Sequence, residues 1–293
     1  MSNNGNRQTF SRLVLSLGKV TISFSVALTT LTGFLAAGGG FSLKLLAAAG
    51  GVFILASGAS ALNQVQEHLT DALMARTRYR PLPAGYMSRR TGFILALVMI
   101  LIGALILWMS TPLSSLILAL LTVFWYNGVY TPLKKITAFA VFPGALVGAR
   151  PPMIGWTAAG GDLWAVGNIS IAFFFFMAQM PHFWIISLRS GEDYKRAGFP
   201  VVTSYFTETQ LLRLTLFWTG CTVLSSLALP MGGIFNDPVS LTILVLSGIF
   251  FFSLLARVLV FKPGSKALTY SFILLSSYVL FVMIFISTWA ILQ

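Results

Sequence analysis

A chain of 293 residues that is 57% hydrophobic and only 9% charged, with apolar runs of about twenty residues from end to end, excludes a soluble domain. It reads as a polytopic membrane protein. The net charge of +12 would suit nucleic acid, but the bases stand between the apolar runs and not in one patch, so that class drops out too.

A hydrocarbon core about 30 Å thick needs roughly 20 apolar residues at about 1.5 Å of rise each. Nine stretches qualify: 20–37, 43–62, 93–110, 113–130, 137–156, 163–186, 211–229, 239–259 and 268–292. The predicted fold class is all-α, a polytopic membrane helical bundle of nine transmembrane helices in one domain, 1–293. Residues 1–19 carry Arg7, Arg12 and Lys19 but no cleavable signal, and form a cytosolic tail. With the N-terminus inside, Arg76, Arg78, Arg80, Arg89, Arg90, Lys134, Lys135, Arg189, Lys195, Arg196, Arg213, Arg257, Lys262 and Lys266 all fall at cytosolic ends of spans. Only Lys44 and Arg150 do not, and an odd number of crossings puts the C-terminus on the far side. Cys221, the single cysteine, lies inside an apolar run, where it packs and has no partner for a disulfide.

The acids are the sharper signal. Of seven, Glu67 and Asp71 follow the second span and Glu192 and Asp193 follow the sixth, so both pairs stand on the same side, in cytosolic loops 63–91 and 187–210. Bases surround each pair: Arg76, Arg78 and Arg80 in the first loop, Arg189, Lys195 and Arg196 in the second. Asn63, Glu67 and Asp71 are spaced four apart and share one helical face. Mg²⁺ takes oxygen ligands, often one or two carboxylates plus phosphate oxygens, while Arg and Lys hold the remaining phosphate charge. A single charged loop between spans is ordinarily just solvated. Two of the same make-up on one side suggest a diphosphate site for a lipid-tailed substrate. Lys134 and Lys135 are partly topogenic, with one of them in reach of such a diphosphate; Trp125, Tyr126 and Trp156 are candidates to line an isoprenoid channel. The run Phe173–Phe176 reads as packing or lipid-facing.

These residues resemble the intramembrane UbiA-type prenyltransferase family, whose first signature is an Asn followed by carboxylates at four and eight positions, here Asn63, Glu67 and Asp71. The likeness is greatest to its heme-directed branch, the protoheme IX farnesyltransferases. It rests on DALMARTRYRPLPAG at 71–85, YTPLKKIT at 130–137, PGALVGARPPMIGW at 143–156 and QMPHFWIISLRSGEDYKRAGFPVV at 179–202, flanked by KVTISFSVALTTLTGFLA at 19–36 and SFILLSSYVLFVMIF at 271–285. The resemblance implies a bundle around a central cavity open to the cytosol and to lipid, in a prokaryotic cell membrane. It implies that Asn63, Glu67, Asp71 and Asp193 are catalytic, that Glu67, Asp71, Glu192 and Asp193 hold Mg²⁺, and that Arg76, Arg80, Lys134, Lys135, Lys195 and Arg196 bind farnesyl diphosphate. The acceptor it implies is the vinyl group of heme b (protoheme IX), giving heme O. Another membrane-soluble acceptor, a quinone precursor or a lipid, is the alternative within the class, and a non-catalytic relative or a transporter of an amphipathic anion the alternative outside it.

Departures from the pattern bear on the acceptor. The family carries Asp where Glu67 stands, and the heme branch adds Asp where Leu69 stands and Arg where His68 stands; Leu69 cannot bind metal. His182 keeps the branch's MPHF segment; on its own it can simply bond a backbone carbonyl, and the resemblance implies a role at the porphyrin or in proton handling. Arg150 lies deep in the fifth span, just before Pro151 and Pro152, where relatives have a small or apolar residue. An ionisable group at that depth faces a cavity or a partner, and the double proline is expected to break the span, so Arg150 is assigned to a polar group of the acceptor.

Overall fold

Between the apolar runs, short polar joints turn the chain. Gly38 and Gly40 adopt left-handed φ of 78° and 62° after the first run, a conformation open to glycine without a side-chain clash. Two residues later Ser42 accepts from the backbone N–H of Leu45 and caps the next helix. The computed structural model describes residues 9–235, 237–261 and 264–292; Arg7 of the expected tail and Lys262 lie outside them.

Among the described residues every regular element is a helix. They are α1 (Phe10–Leu17), α2 (Val20–Ala36), α3 (Leu43–Leu73), α4 (Arg89–Ser110), α5 (Leu113–Phe124), α6 (Thr131–Leu133), α7 (Val141–Ala158), α8 (Val166–Arg196), α9 (Glu208–Ser226), α10 (Ala228–Met231), α11 (Pro238–Phe261) and α12 (Ser265–Leu292). Among the described residues seven helices are long and apolar enough to cross a membrane, or eight when α1 and α2, bent by 53°, count as one broken span. The expected fifth span is present as α7, but Arg150, Pro151 and Pro152 dilute its apolar run and it is not among them.

Three expectations need correction. Residues 10–17 of the expected tail are helix, with Leu13 and Leu17 buried against Ala61, Val65, Leu82 and Met87. Gln64 of α3 donates to the carbonyls of Ser16 and Leu17, closing the end of α1. The motif loops begin as helix: α3 and α8 have 31 residues each, about 46 Å at ~1.5 Å per residue against a core of about 30 Å. Each is thus longer than the core by about 16 Å, and the acids stand in the turns at its C-terminal end. Nor does the double proline break its span, because α7 runs through Pro151 and Pro152. The two missing N–H groups instead leave the carbonyls of Val147 and Gly148 without their donors four residues on, and both residues line a cavity.

Close packing holds these elements. A Cβ on Gly33 would lie 1.9 Å from the carbonyl oxygen of Pro152, and one on Gly155 1.9 Å from that of Thr30, so α2 and α7 meet backbone to backbone. On the other side, Phe174 and Phe175 of α8 pack with Phe251 of α11 and Tyr278 of α12, while Phe173 faces outward. Between α5 and α6 the chain forms a π-helical turn, Trp125–Tyr130, an irregularity often found at functional sites.

Candidate active site

The spacing of four places Asn63, Glu67 and Asp71 on one face of α3, and all three are buried. Asn63 is the hub. Its Nδ2 donates to Glu67 Oε2 at 2.9 Å and to Thr131 Oγ1 at 3.1 Å, and its Oδ1 accepts from Lys19 Nζ at 3.0 Å. Glu67 Oε1 stands 2.7 Å from Lys134 Nζ, an ion pair whose angle makes no hydrogen bond. Arg80 Nη1 donates to Asp71 Oδ2 at 2.7 Å. The loop that returns Arg80 is shaped by Thr77, whose hydroxyl donates to the Asp71 carbonyl at 2.8 Å. Gln66 Nε2 donates to the Asn127 carbonyl at 3.0 Å, fastening α3 to the π-turn.

These groups form one end of a cavity of about 350 Å³. Lys19, Arg76, Arg80 and Lys134 line it against two carboxylates, so basic side chains outnumber acidic ones. Tyr126 and Tyr130, stacked with centroids 5.9 Å apart, come next with Phe183. Below them the wall turns apolar, through Ala56, Leu55 and Val52 of α3 and Ile154 of α7. An anion-binding end joined to a hydrocarbon-lined end is the shape of a site for a charged head on an apolar tail.

The sequence-predicted residues divide. Asn63, Glu67, Asp71, Arg76, Arg80 and Lys134 line the cavity, whereas Lys135, Arg150, His182, Glu192, Asp193, Lys195 and Arg196 do not. Glu192, Lys195 and Arg196 are exposed and Asp193 is half-buried. The residue of that motif on the wall is Tyr194, to whose hydroxyl Arg76 Nη2 donates at 3.4 Å. One helical position turns about 100°, so seating Tyr194 on the cavity carries its two acidic neighbours off it. Lys135 is exposed beside Lys134. The His182 ring packs 4.7 Å from that of Phe272 on α12. Arg150 has partners of its own: it donates to the Leu121 carbonyl at 3.1 Å and lies 4.8 Å over the Trp125 ring, tying α7 to α5. Leu69 is 72% exposed on the opposite face of α3, so the carboxylate absent there is absent from outside the cavity.

Sequence reasoning missed Lys19, Tyr130 and Tyr194. The sequence places Lys19 in the expected tail; its left-handed φ of 47° at the bend between α1 and α2 is what delivers it to Asn63. Two carboxylates in one pocket suit a Mg²⁺ that takes its other ligands from phosphate oxygens and water. Among the described residues no third Asp, Glu, His or Cys joins them. The residues present thus fit a metal that arrives with its substrate better than one caged by protein.

Comparison with known proteins points the same way. The UbiA prenyltransferase family matches residues 26–277. The protoheme IX farnesyltransferase of Geobacter sulfurreducens is 43% identical over 190 residues, 65% of this chain and 70% of that one. Among solved structures, one of a digeranylgeranylglyceryl phosphate synthase superposes with a TM-score of 0.76 at 16% identity, covering 97% of this chain and 99% of the other. A UbiA homolog from Archaeoglobus fulgidus bound to DMAPP and Mg²⁺ does so with a TM-score of 0.68 at 14% identity, covering 94% and 99%.

Proposed function

This chain is a prenyltransferase of the UbiA family, and from that premise we propose that it transfers the farnesyl group of farnesyl diphosphate, with Mg²⁺, to the vinyl group of protoheme IX: the outer vinyl carbon bonds to the farnesyl carbon as diphosphate leaves, and the inner one takes a hydroxyl from water with loss of a proton. The observation that carries the proposal is the cavity itself: four basic side chains and two carboxylates at one end, aromatic rings next, hydrocarbon below. The similarity to protoheme IX farnesyltransferases supports the acceptor. The metal and the donor class are supported by the homolog that binds DMAPP and Mg²⁺.

In this reading Glu67 and Asp71 hold Mg²⁺, which when bound supplies positive charge to the diphosphate oxygens. Arg80, Lys134, Lys19 and Arg76 take the rest. As the bond from the allylic carbon to oxygen breaks, negative charge grows on the departing diphosphate, and preorganised cations in a site of low dielectric stabilise that charge more than they stabilise the ground state. Asn63 positions the set, holding Lys19 and Glu67 at once. The faces of Tyr126, Tyr130 and Phe183 suit the allylic cation left behind, and the apolar wall keeps water from it. The anion end lies where the bases cluster, so the cavity opens to the cytosol in a bacterial cell membrane with the N-terminus inside.

Purified protein in detergent with farnesyl diphosphate, Mg²⁺ and heme b tests this directly. Release of diphosphate together with heme O is expected. Diphosphate release that depends on a different acceptor would retain the enzyme and remove the heme assignment; no turnover with any prenyl diphosphate would refute the proposal.

A further inference from the structure

The position of the cavity's deepest lining residues along α3 amounts to a length measurement. Below Asn63 its wall on α3 passes Ser60, Ala56 and Leu55 to Val52. Positions 52 and 63 are 11 residues apart, which at about 1.5 Å of rise each is about 16 Å of depth beneath the charged end. The bottom is packed: Val52, Leu55 and Ile154 are 2%, 3% and 2% exposed and form one apolar cluster with Leu107 and Ala119.

An extended carbon chain advances about 1.3 Å per bond, given C–C lengths near 1.5 Å. Measured from the carbon that bears the diphosphate, a prenyl tail is then about 9 Å long with ten carbons, about 14 Å with fifteen and about 19 Å with twenty. Fifteen carbons fill the depth. Ten leave the floor uncovered, and twenty collide with a cluster packed too tightly to yield cheaply. Resting on the prenyl diphosphate reading above, we infer that Val52, Leu55 and Ile154 form a floor that sets the length of tail the protein accepts. Ala56, about 10 Å below Asn63 at ~1.5 Å per residue, lines the same wall and is the position at which a larger side chain raises that floor.

The test compares wild type, Ala56→Phe, Leu55→Ala and Ile154→Ala with donors of ten, fifteen and twenty carbons. Steady-state diphosphate release with heme b is measured, as is binding of each tail as its non-hydrolysable thiolodiphosphate. Wild type is expected to prefer fifteen carbons. Ala56→Phe should shift the ratio of kcat/KM toward ten carbons by about tenfold or more, and the two alanine variants should shift it toward twenty by a similar factor, the scale on which apolar pockets sort neighbouring chain lengths. Binding of the ten-carbon analogue to Ala56→Phe at wild-type affinity shows that this variant folds. A wild type that handles fifteen and twenty carbons alike, or variants that bind donors with unshifted ratios, overturns the floor. A wild type that binds none of the three tails overturns the diphosphate reading instead.

Discussion

Replacing Asp71 with Asn separates the metal role of the carboxylate from its charge. The side chain is 1% exposed and accepts one hydrogen bond from Arg80 at 2.7 Å, so an amide of the same shape keeps the packing and a bond in which only the guanidinium is charged. An exposed ion pair contributes about 0.2–1 kcal/mol and breaking a buried one costs about 3–5, so losing this part-buried pair while keeping its hydrogen bond costs about 1–2 kcal/mol. At about 2–4 °C per kcal/mol the melting temperature falls by only a few degrees. Function responds differently. The cavity loses one of its two carboxylates and becomes more positive by one charge. In EDTA the variant should therefore bind a farnesyl thiolodiphosphate at least as tightly as wild type. With Mg²⁺ it should lose about 10²–10³-fold in kcat, on the scale of removing one preorganised group at a developing charge, and need more Mg²⁺ to reach half-maximal rate. The assay is calorimetric binding in EDTA beside diphosphate release over a Mg²⁺ titration. Turnover within about threefold of wild type at an unchanged Mg²⁺ requirement would refute the metal role.

Other outcomes follow from the same geometry. Asp193→Ala, off the cavity wall, should slow diphosphate release less than Asp71→Ala does; equal losses would mean that the end of α8 turns inward on binding. Arg150→Leu removes a bond to the Leu121 carbonyl and the contact over Trp125, so it should lower thermal stability by about 1–2 kcal/mol and leave the KM for heme b unchanged, which a melting curve and a heme titration check together. Gly155→Ala places a Cβ 1.9 Å from the Thr30 carbonyl oxygen; spreading α2 from α7 should cost about 1–3 kcal/mol or more and show as a lower melting temperature in detergent.

Periodicity and hydropathy are local properties, and what depends on them was legible without coordinates. The membrane class, the helical fold and the shared face of Asn63, Glu67 and Asp71 all follow from spacing along one segment. Spacing could also have found that Leu69 points away: it lies two positions from Glu67, about 200° around the helix at ~100° per residue. The resemblance had made that position look like a missing ligand. Charge could not be read so far. Lys19 read as part of a tail and Arg80 and Lys134 as bases for a diphosphate, yet each meets its own member of the α3 face.

Tertiary structure alone decided the partners and the rotations. Lys19 is 44 positions from Asn63 and Arg150 is 29 from Leu121, distances over which sequence pattern carries no register. The acidic pair in α8 shows the limit most clearly: composition places it at the right end of the bundle, but whether Asp193 or Tyr194 faces the cavity is set by how α8 rotates when Phe174, Phe175 and Ile185 are driven into the core. Burial of those apolar side chains fixes the rotation of the whole helix, and the polar residues at its end go where that rotation carries them.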